Sequence, residues 1–237
     1  MQPIKICMAA LTILTVPVMV APAPGGGATL VGEVTYSGTP SKPLPLNMSK
    51  EPDCAKMRAK PLMSESVIIG PGNTLQNVVV YISAGASDTS AAPTTPVEFD
   101  QQDCHYTTHV LAFRAGQDVK ISNSDPFSHN IHPLAKVNRE WNRIQLAGTP
   151  PFSYSYENEE FISVKCNIHA WMQGYFVVLK TKHFAVTGGT GRFALTDLPA
   201  GKYTVTAWHE VYGTRSREIT VASGQTLSVN FNFQAKP

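Results

Sequence analysis

The stretch Val164-Lys165-Cys166-Asn167-Ile168-His169-Ala170-Trp171-Met172-Gln173-Gly174-Tyr175 decides how the rest of the chain is read. Cys166, His169 and Met172 set a thiol, an imidazole and a thioether in the spacing C-x2-H-x2-M. Upstream, Phe161-Ile162-Ser163-Val164 alternates as a strand does, and Tyr175 to Leu179 is a second, apolar strand. The three donors therefore fall on a tight loop between two strands. A further imidazole comes from elsewhere in the chain, in Ser128-His129-Asn130.

Sulfur donors and imidazole together are soft ligands that suit copper, and a trigonal His2Cys set with a weak axial Met is an electron-transfer arrangement. Two other readings stay open. A Cys-His-His set could hold zinc with water as fourth ligand, although Met is a poor zinc ligand and no Glu lies in the loop to act as a base. Cys166 could also be a buried thiol among chance neighbours. The sequence contains no C-x-x-C-H, which excludes covalent c-type haem. It also lacks G-x-S-x-G, a Walker loop and H-E-x-x-H.

Of the 237 residues 43% are hydrophobic and 15% charged, with a formal net charge of +2, a globular composition. No Lys/Arg-rich run offers a footprint for nucleic acid. Residues 1–27 read as a signal peptide and linker: Lys5, then an apolar run from Ile6 to Ala21, then Ala21-Pro22-Ala23 and Gly25 to Gly27. Cleavage is expected between residues 21 and 27. A membrane anchor is the alternative, but Pro17 and the short span oppose it. No second long apolar segment follows, so the mature chain is expected to be periplasmic or secreted and to have no membrane span.

Cys7 leaves with the signal, and Cys54, Cys104 and Cys166 remain. In an oxidising compartment an odd cysteine is reactive, intermolecular or held by metal. If Cys166 binds an ion, Cys54 and Cys104 are free to pair as a disulfide; two separate buried thiols are the alternative.

Leu30 to Tyr36 reads as a strand ending in a Gly/Pro turn, and 41–66 as an irregular surface segment tied down at Cys54. Short strands are expected at Ser66 to Ile69 and Val78 to Ile82, with an exposed, mobile loop from Ala84 to Pro96. Val110 to Phe113, Asp118 to Asn123 and Phe152 to Tyr156 are further strands. No amphipathic helix stands out. Lys136, Arg139 and Arg143 form a basic loop, read as solvated or as a docking patch. His105, His109, His183 and His209 read as packing or hydrogen-bonding residues, with a second metal site as the alternative. Strand signals every 8 to 12 residues indicate an all-β chain.

Residues 97 to 179 resemble the copper-binding part of the cupredoxins, the plastocyanin and amicyanin relatives. The resemblance rests on Val110 to Asn123, Ser128-His129-Asn130, and Cys166, His169, Met172 and Gly174. It implies a Greek-key β-sandwich holding one type 1 copper ion, with His129, Cys166 and His169 as equatorial ligands and Met172 as axial ligand. Asn130 would steady the thiolate through a backbone hydrogen bond. His132, three residues after His129, is a rival; its Pro133 neighbour favours an extended backbone, on which the two imidazoles face opposite ways.

Residues 185 to 233 are similar to the carboxypeptidase regulatory-like, transthyretin-like module, through Thr187-Gly188-Gly189-Thr190-Gly191-Arg192-Phe193, Leu198-Pro199-Ala200-Gly201-Lys202-Tyr203 and Tyr212-Gly213. This implies a small antiparallel β-sandwich. Gly32 to Tyr36 resembles the module's first strand, so the module could be split around the copper part. The chain as a whole resembles methylamine-utilisation-like secreted bacterial proteins. The expected domains are 28–73 (first strand and irregular segment), 74–182 (copper domain) and 183–237 (regulatory-like module). The implied function is an exported one-electron carrier, not an enzyme, working with a redox partner such as a cytochrome or an oxidoreductase. The alternatives are a copper-handling or partner-docking protein and, behind it, a mononuclear metal enzyme.

Overall fold

Tyr175 to Leu179 is apolar without a break because both faces of its strand are covered, as happens when a sheet lies between two layers. In the computed structural model, which describes residues 26–39 and 42–235, that strand is Gln173–Leu179. The expected signal segment lies outside the described residues except for Gly26 and Gly27.

Gln173–Leu179 belongs to a five-stranded sheet in the order Val110–Arg114, Gln173–Leu179, Glu160–Lys165, His129–Pro133, Arg143–Gln145. A four-stranded sheet faces it, in the order His105–Tyr106, Val97–Gln102, Asp118–Asn123, Phe152–Ser155. Phe99, Phe113, Ile121, Ile162, Phe176 and Val178 fill the space between them.

A second sandwich is made from both ends of the chain. Ala28–Ser37 pairs antiparallel with Arg192–Leu198 and parallel with Thr226–Ser228 and Phe231–Gln234. The facing sheet runs Phe184–Val186, Val79–Ala84, Gly201–His209, Gly213–Val221. Leu30, Val34, Val80, Val205, Phe231 and Phe233 are among its core. Val79–Ala84 lies in the stretch assigned from sequence to 74–182, yet it pairs with Gly201–His209 and Phe184–Val186. The pairing therefore groups this strand with the C-terminal segment and not with 97–179.

The two sandwiches share a third apolar layer. Val79 and Tyr81 point away from their own core and meet Val177 and Leu179, with Phe161 and Trp208 packed alongside. Alternate residues of one strand thus serve two cores: Val80 and Ile82 face one, Val79 and Tyr81 the other. This double burial is why Val78 to Ile82 reads as continuous hydrophobe. The fold is all-β, two sandwiches as expected.

Three local expectations are revised. Ser66 to Ile69 forms no strand; it contributes only the isolated bridge Ile69↔Leu75. Residues 42–66 are less irregular than their composition suggests. Leu46 N–H donates to Leu62 O and Ser64 N–H to Leu44 O, each at 2.8 Å, and the short helix Pro52–Lys56 carries Cys54 at the far end. The 84–96 loop is anchored rather than loose. Arg114 donates to Asp88 Oδ2 at 2.9 Å, and the Lys182 N–H reaches the same oxygen at 2.8 Å. Both partners of the ion pair are nearly buried, with side-chain exposures of 8% and 6%.

Burial pushes the Asp88 carboxyl up, but hydrogen bonds from Ser90 and Lys182 and the Arg114 charge bring it down to about 2 from 3.8. A depressed carboxyl stabilises the fold above its unfolded pKa, and that contribution is lost as pH falls through the folded value. Asp88→Ala should lower the urea unfolding free energy by about 3 kcal/mol, because it strands the buried Arg114 charge. In the same measurement the wild type should lose stability between pH 4 and 2 more steeply than the variant.

Candidate metal centre

His129 opens its strand because the preceding turn is shaped by side chains. Asn123 Nδ2 donates to Phe127 O at 2.8 Å, and its Oδ1 accepts the Asp125 N–H at 3.1 Å. The chain then enters His129–Pro133, where His129, Asn130 and Ile131 are buried. His132, on the opposite face, reaches Glu140 at 2.7 Å and Asn167 at 3.2 Å.

The second donor segment is the loop between Glu160–Lys165 and Gln173–Leu179. It is closed by the Cys166 N–H donating to Met172 O at 3.0 Å and the Met172 N–H to His169 O at 2.9 Å. Gly174 is needed where the loop rejoins the sheet, since a Cβ there would lie 2.8 Å from the His109 carbonyl oxygen. Asn130 ties the two segments together: its Oδ1 accepts the Asn167 N–H at 2.7 Å and stands 3.4 Å from Cys166 Sγ.

The structure brings His129, Cys166 and His169 together, with donor atoms within 4.8 Å of one another. His129 Nδ1 and His169 Nδ1 are 2.8 Å apart, and His169 Nδ1 is 3.8 Å from Cys166 Sγ. All three residues are buried, and Met172 packs in the same apolar cluster as Cys166. His132 is not part of the group.

Electrostatics prepare the sulfur. Burial pushes the Cys166 thiol up, but hydrogen bonds from His129 and His169 and from the Asn130 and His169 backbone outweigh it, lowering the pKa from 9.0 to about 5. Burial pushes His129 down, while the Asp125 hydrogen bond and the Cys166 charge raise it overall. A thiolate beside two imidazoles, with a thioether in the same cluster, is a donor set that fits a soft first-row ion such as copper.

Sequence reasoning missed Asp125. Its Oδ2 lies 2.7 Å from His129 Nε2, which leaves Nδ1 facing His169 and Cys166. The same carboxylate accepts the Asp103 and Cys104 N–H groups at 2.5 and 2.7 Å. Those two residues form the turn joining Val97–Gln102 to His105–Tyr106, both with positive φ (54° and 53°), a conformation that costs non-glycine residues energy. Burial pushes the Asp125 carboxyl up, but His129 and the two amides hold it below the usual value. The only hint in the sequence was an acid four residues ahead of the histidine.

Cys104 forms a disulfide with Cys54. This fastens 42–66 over the site, where Cys54 Sγ lies 3.7 Å from His169 Nε2. Trp171, a bulky residue inside the donor loop, fits under the cover: its Nε1 donates to Cys104 O at 2.9 Å, and it packs with Met48, Leu62 and Phe127. In the basic loop, Glu160 accepts the Lys136, Val137 and Asn138 N–H groups. Arg143 lies 3.9 Å over the Phe152 ring.

Residues 168–234 match the family model of the carboxypeptidase regulatory-like domain. In the structure the module's sheets also take in Ala28–Ser37 and Val79–Ala84, both upstream of the match. Among solved structures, a Cu-containing nitrite reductase from Thermus scotoductus SA-01 is 18% identical, over 43% of this chain and 25% of its own, at TM-score 0.35. The chain thus spans about a quarter of that enzyme. A purple cupredoxin from Nitrosopumilus maritimus is 20% identical over 35% of this chain and 99% of its own, at TM-score 0.31. The oxidized P96G mutant of amicyanin is 20% identical over 42% and 98%, at TM-score 0.33. At these identities and TM-scores the likenesses do not bear on the residues of the site. No curated protein matches the chain.

The bridge closes a loop with a sequence separation of 50, for which chain entropy gives about 4 kcal/mol. The Cys54→Ser/Cys104→Ser double variant should lose that much stability in urea. It should also open the His169 edge, raising deuterium exchange at 42–66 and at 167–171. Mass spectrometry of the unreduced wild type should show two fewer hydrogens than the free thiols require.

Proposed function

We propose that the chain binds one copper ion as a type 1 centre, with His129, Cys166 and His169 equatorial and Met172 axial, and serves as an exported one-electron carrier between redox proteins. The observation that carries this reading is the convergence of two imidazole Nδ1 atoms and the Cys166 sulfur in one buried place. Bound there, the ion supplies a Cu(II)/Cu(I) couple.

The chain's own residues do the rest. Asn130 fixes the spacing of the two donor segments, and Asp125 fixes the tautomer and rotation of His129, as partners of metal-bound imidazoles do. A β-scaffold that holds donors in place limits the rearrangement accompanying electron transfer. His129 is 0% exposed, Cys166 2%, Met172 2% and His169 3%. Burial of all four groups favours a carrier over a mononuclear enzyme, which needs a coordination position open to its substrate. The disulfide fits an oxidising compartment, as the reading of 1–27 as a signal peptide and linker expects. A cytochrome or an oxidoreductase is the class of partner. We read 97–179 as inserted into a split regulatory-like module, whose role is to present the carrier to that partner.

The cover over His169 favours one alternative, a copper-handling protein, since it keeps a partner from touching that ligand directly. Potentiometry separates the two: a carrier cycles reversibly without losing metal, whereas a store or delivery protein releases copper on reduction.

After copper loading, Cys166→Ser should lose the intense visible band while keeping its fold by circular dichroism; an equally coloured variant would remove Cys166 from the site. Met172→Leu should retain copper and raise the potential, and an unchanged potential would point to another axial group. His129→Gly should leave a gap refilled by added imidazole, with His132→Gly nearly silent. The reverse pattern would move the ligand to His132.

A further inference from the structure

Cys54 and Cys104 lie beside the candidate centre, and their sulfurs form a second converging group with His169, all donor atoms within 4.8 Å of one another. The ring of His169 stands between the two groups. Its Nδ1 faces His129 and Cys166, and its Nε2 lies 3.7 Å from Cys54 Sγ. Cys54, Cys104 and His169 are all buried. While the bridge is intact each sulfur is bonded to the other, and neither can bind an ion as a thiolate.

We propose that reduction of the Cys54–Cys104 bridge opens a second metal site, in which the two thiolates and His169 Nε2 bind one Cu(I) ion. Two thiolates and an imidazole are soft donors of the kind that select Cu(I). The reductant is a dithiol. It supplies two electrons and two protons, the S–S bond breaks to give two thiols, and the donor leaves as its own disulfide. Cu(I) then displaces the thiol protons to water and keeps its oxidation state, since the thiolate and not the thiol is the ligand.

Metal bonds of about 2.3 Å to sulfur and 2.0–2.1 Å to nitrogen set a sulfur and a nitrogen donor roughly 3.6 Å apart. The 3.7 Å between Cys54 Sγ and His169 Nε2 is already that spacing, so only the two sulfurs must part. Contacts other than the bridge keep the segments together when they do. Arg58 Nε donates to Asp103 O at 2.9 Å, and Trp171 Nε1 to Cys104 O at the same distance. Met48, Leu62, Phe127 and Trp171 pack around both cysteines. Cys54 is carried by Pro52–Lys56, whose other residues are exposed, and this is the edge from which a dithiol reaches the bridge. The site shares His169 with the copper reading but needs neither Cys166 nor Met172, so the two stand or fall separately.

Cys166→Ser isolates the site, leaving Cys54 and Cys104 as the only cysteines among the described residues. The variant is treated with dithiothreitol, freed of it under nitrogen, and titrated with Cu(I) against a cuprous chelator. The reduced form should bind one Cu(I) about 100-fold or more tighter than the bridged form, since even outer partners of a ligand are worth about 10–100-fold. X-ray absorption should find two sulfurs and an imidazole nitrogen around it. Adding Cys54→Ser and Cys104→Ser should abolish the gain from dithiothreitol. Deuterium exchange distinguishes a built site from a loosened chain: Cu(I) should restore the protection at 42–66 that reduction removes. Equal affinity in the reduced and bridged forms, fewer than two sulfurs around the ion, or tight binding without recovered protection would overturn the proposal.

Discussion

One buried carboxylate ties together everything around the candidate centre. Asp125 accepts from His129 Nε2 and from two consecutive backbone amides, those of Asp103 and Cys104. Without it, His129 could rotate, and the positive-φ turn carrying Cys104 would lose the contacts that offset its strain. Because Cys104 holds the disulfide, the covering segment depends on the same group. A buried carboxylate is costly unless its lone pairs are used; here three donors use them, which makes the surroundings of the candidate centre rigid.

The larger architecture works by the same sharing of parts. Val79–Ala84 and Gln173–Leu179 each present one face to a sandwich core and the other to the layer between sandwiches. Three apolar layers therefore arise from four sheets. The loop that bears Cys166, His169 and Met172 leads straight into Gln173–Leu179. Its position is set by two apolar layers at once, the core of its own sandwich and the layer between the sandwiches.

Much of this was legible in the sequence. The C-x2-H-x2-M spacing between two strand patterns located the donor loop, and His129 is the upstream imidazole that the structure places beside it. The all-β architecture followed from alternation and turn residues. What stayed hidden depends on contacts between distant segments. Unbroken apolar runs at 78–82 and 175–179 show double burial but not which neighbour covers which face; Val79–Ala84, placed by sequence within 74–182, pairs with Phe184–Val186 and Gly201–His209 and packs its other face on Val177 and Leu179. Asp125 looked like an ordinary acid before Pro126. The Cys54–Cys104 pairing that ties down 42–66 was expected, but not that it lays the segment over His169, because 42–66 has no periodicity to place it.

The central claim is that Cys166, His129 and His169 bind one copper ion together. X-ray absorption at the copper edge of the loaded wild-type protein tests this most directly. The account predicts a first shell of one short sulfur and two imidazole nitrogens, with the sulfur contribution vanishing in Cys166→Ser. A shell of nitrogen and oxygen alone in the wild type would contradict it.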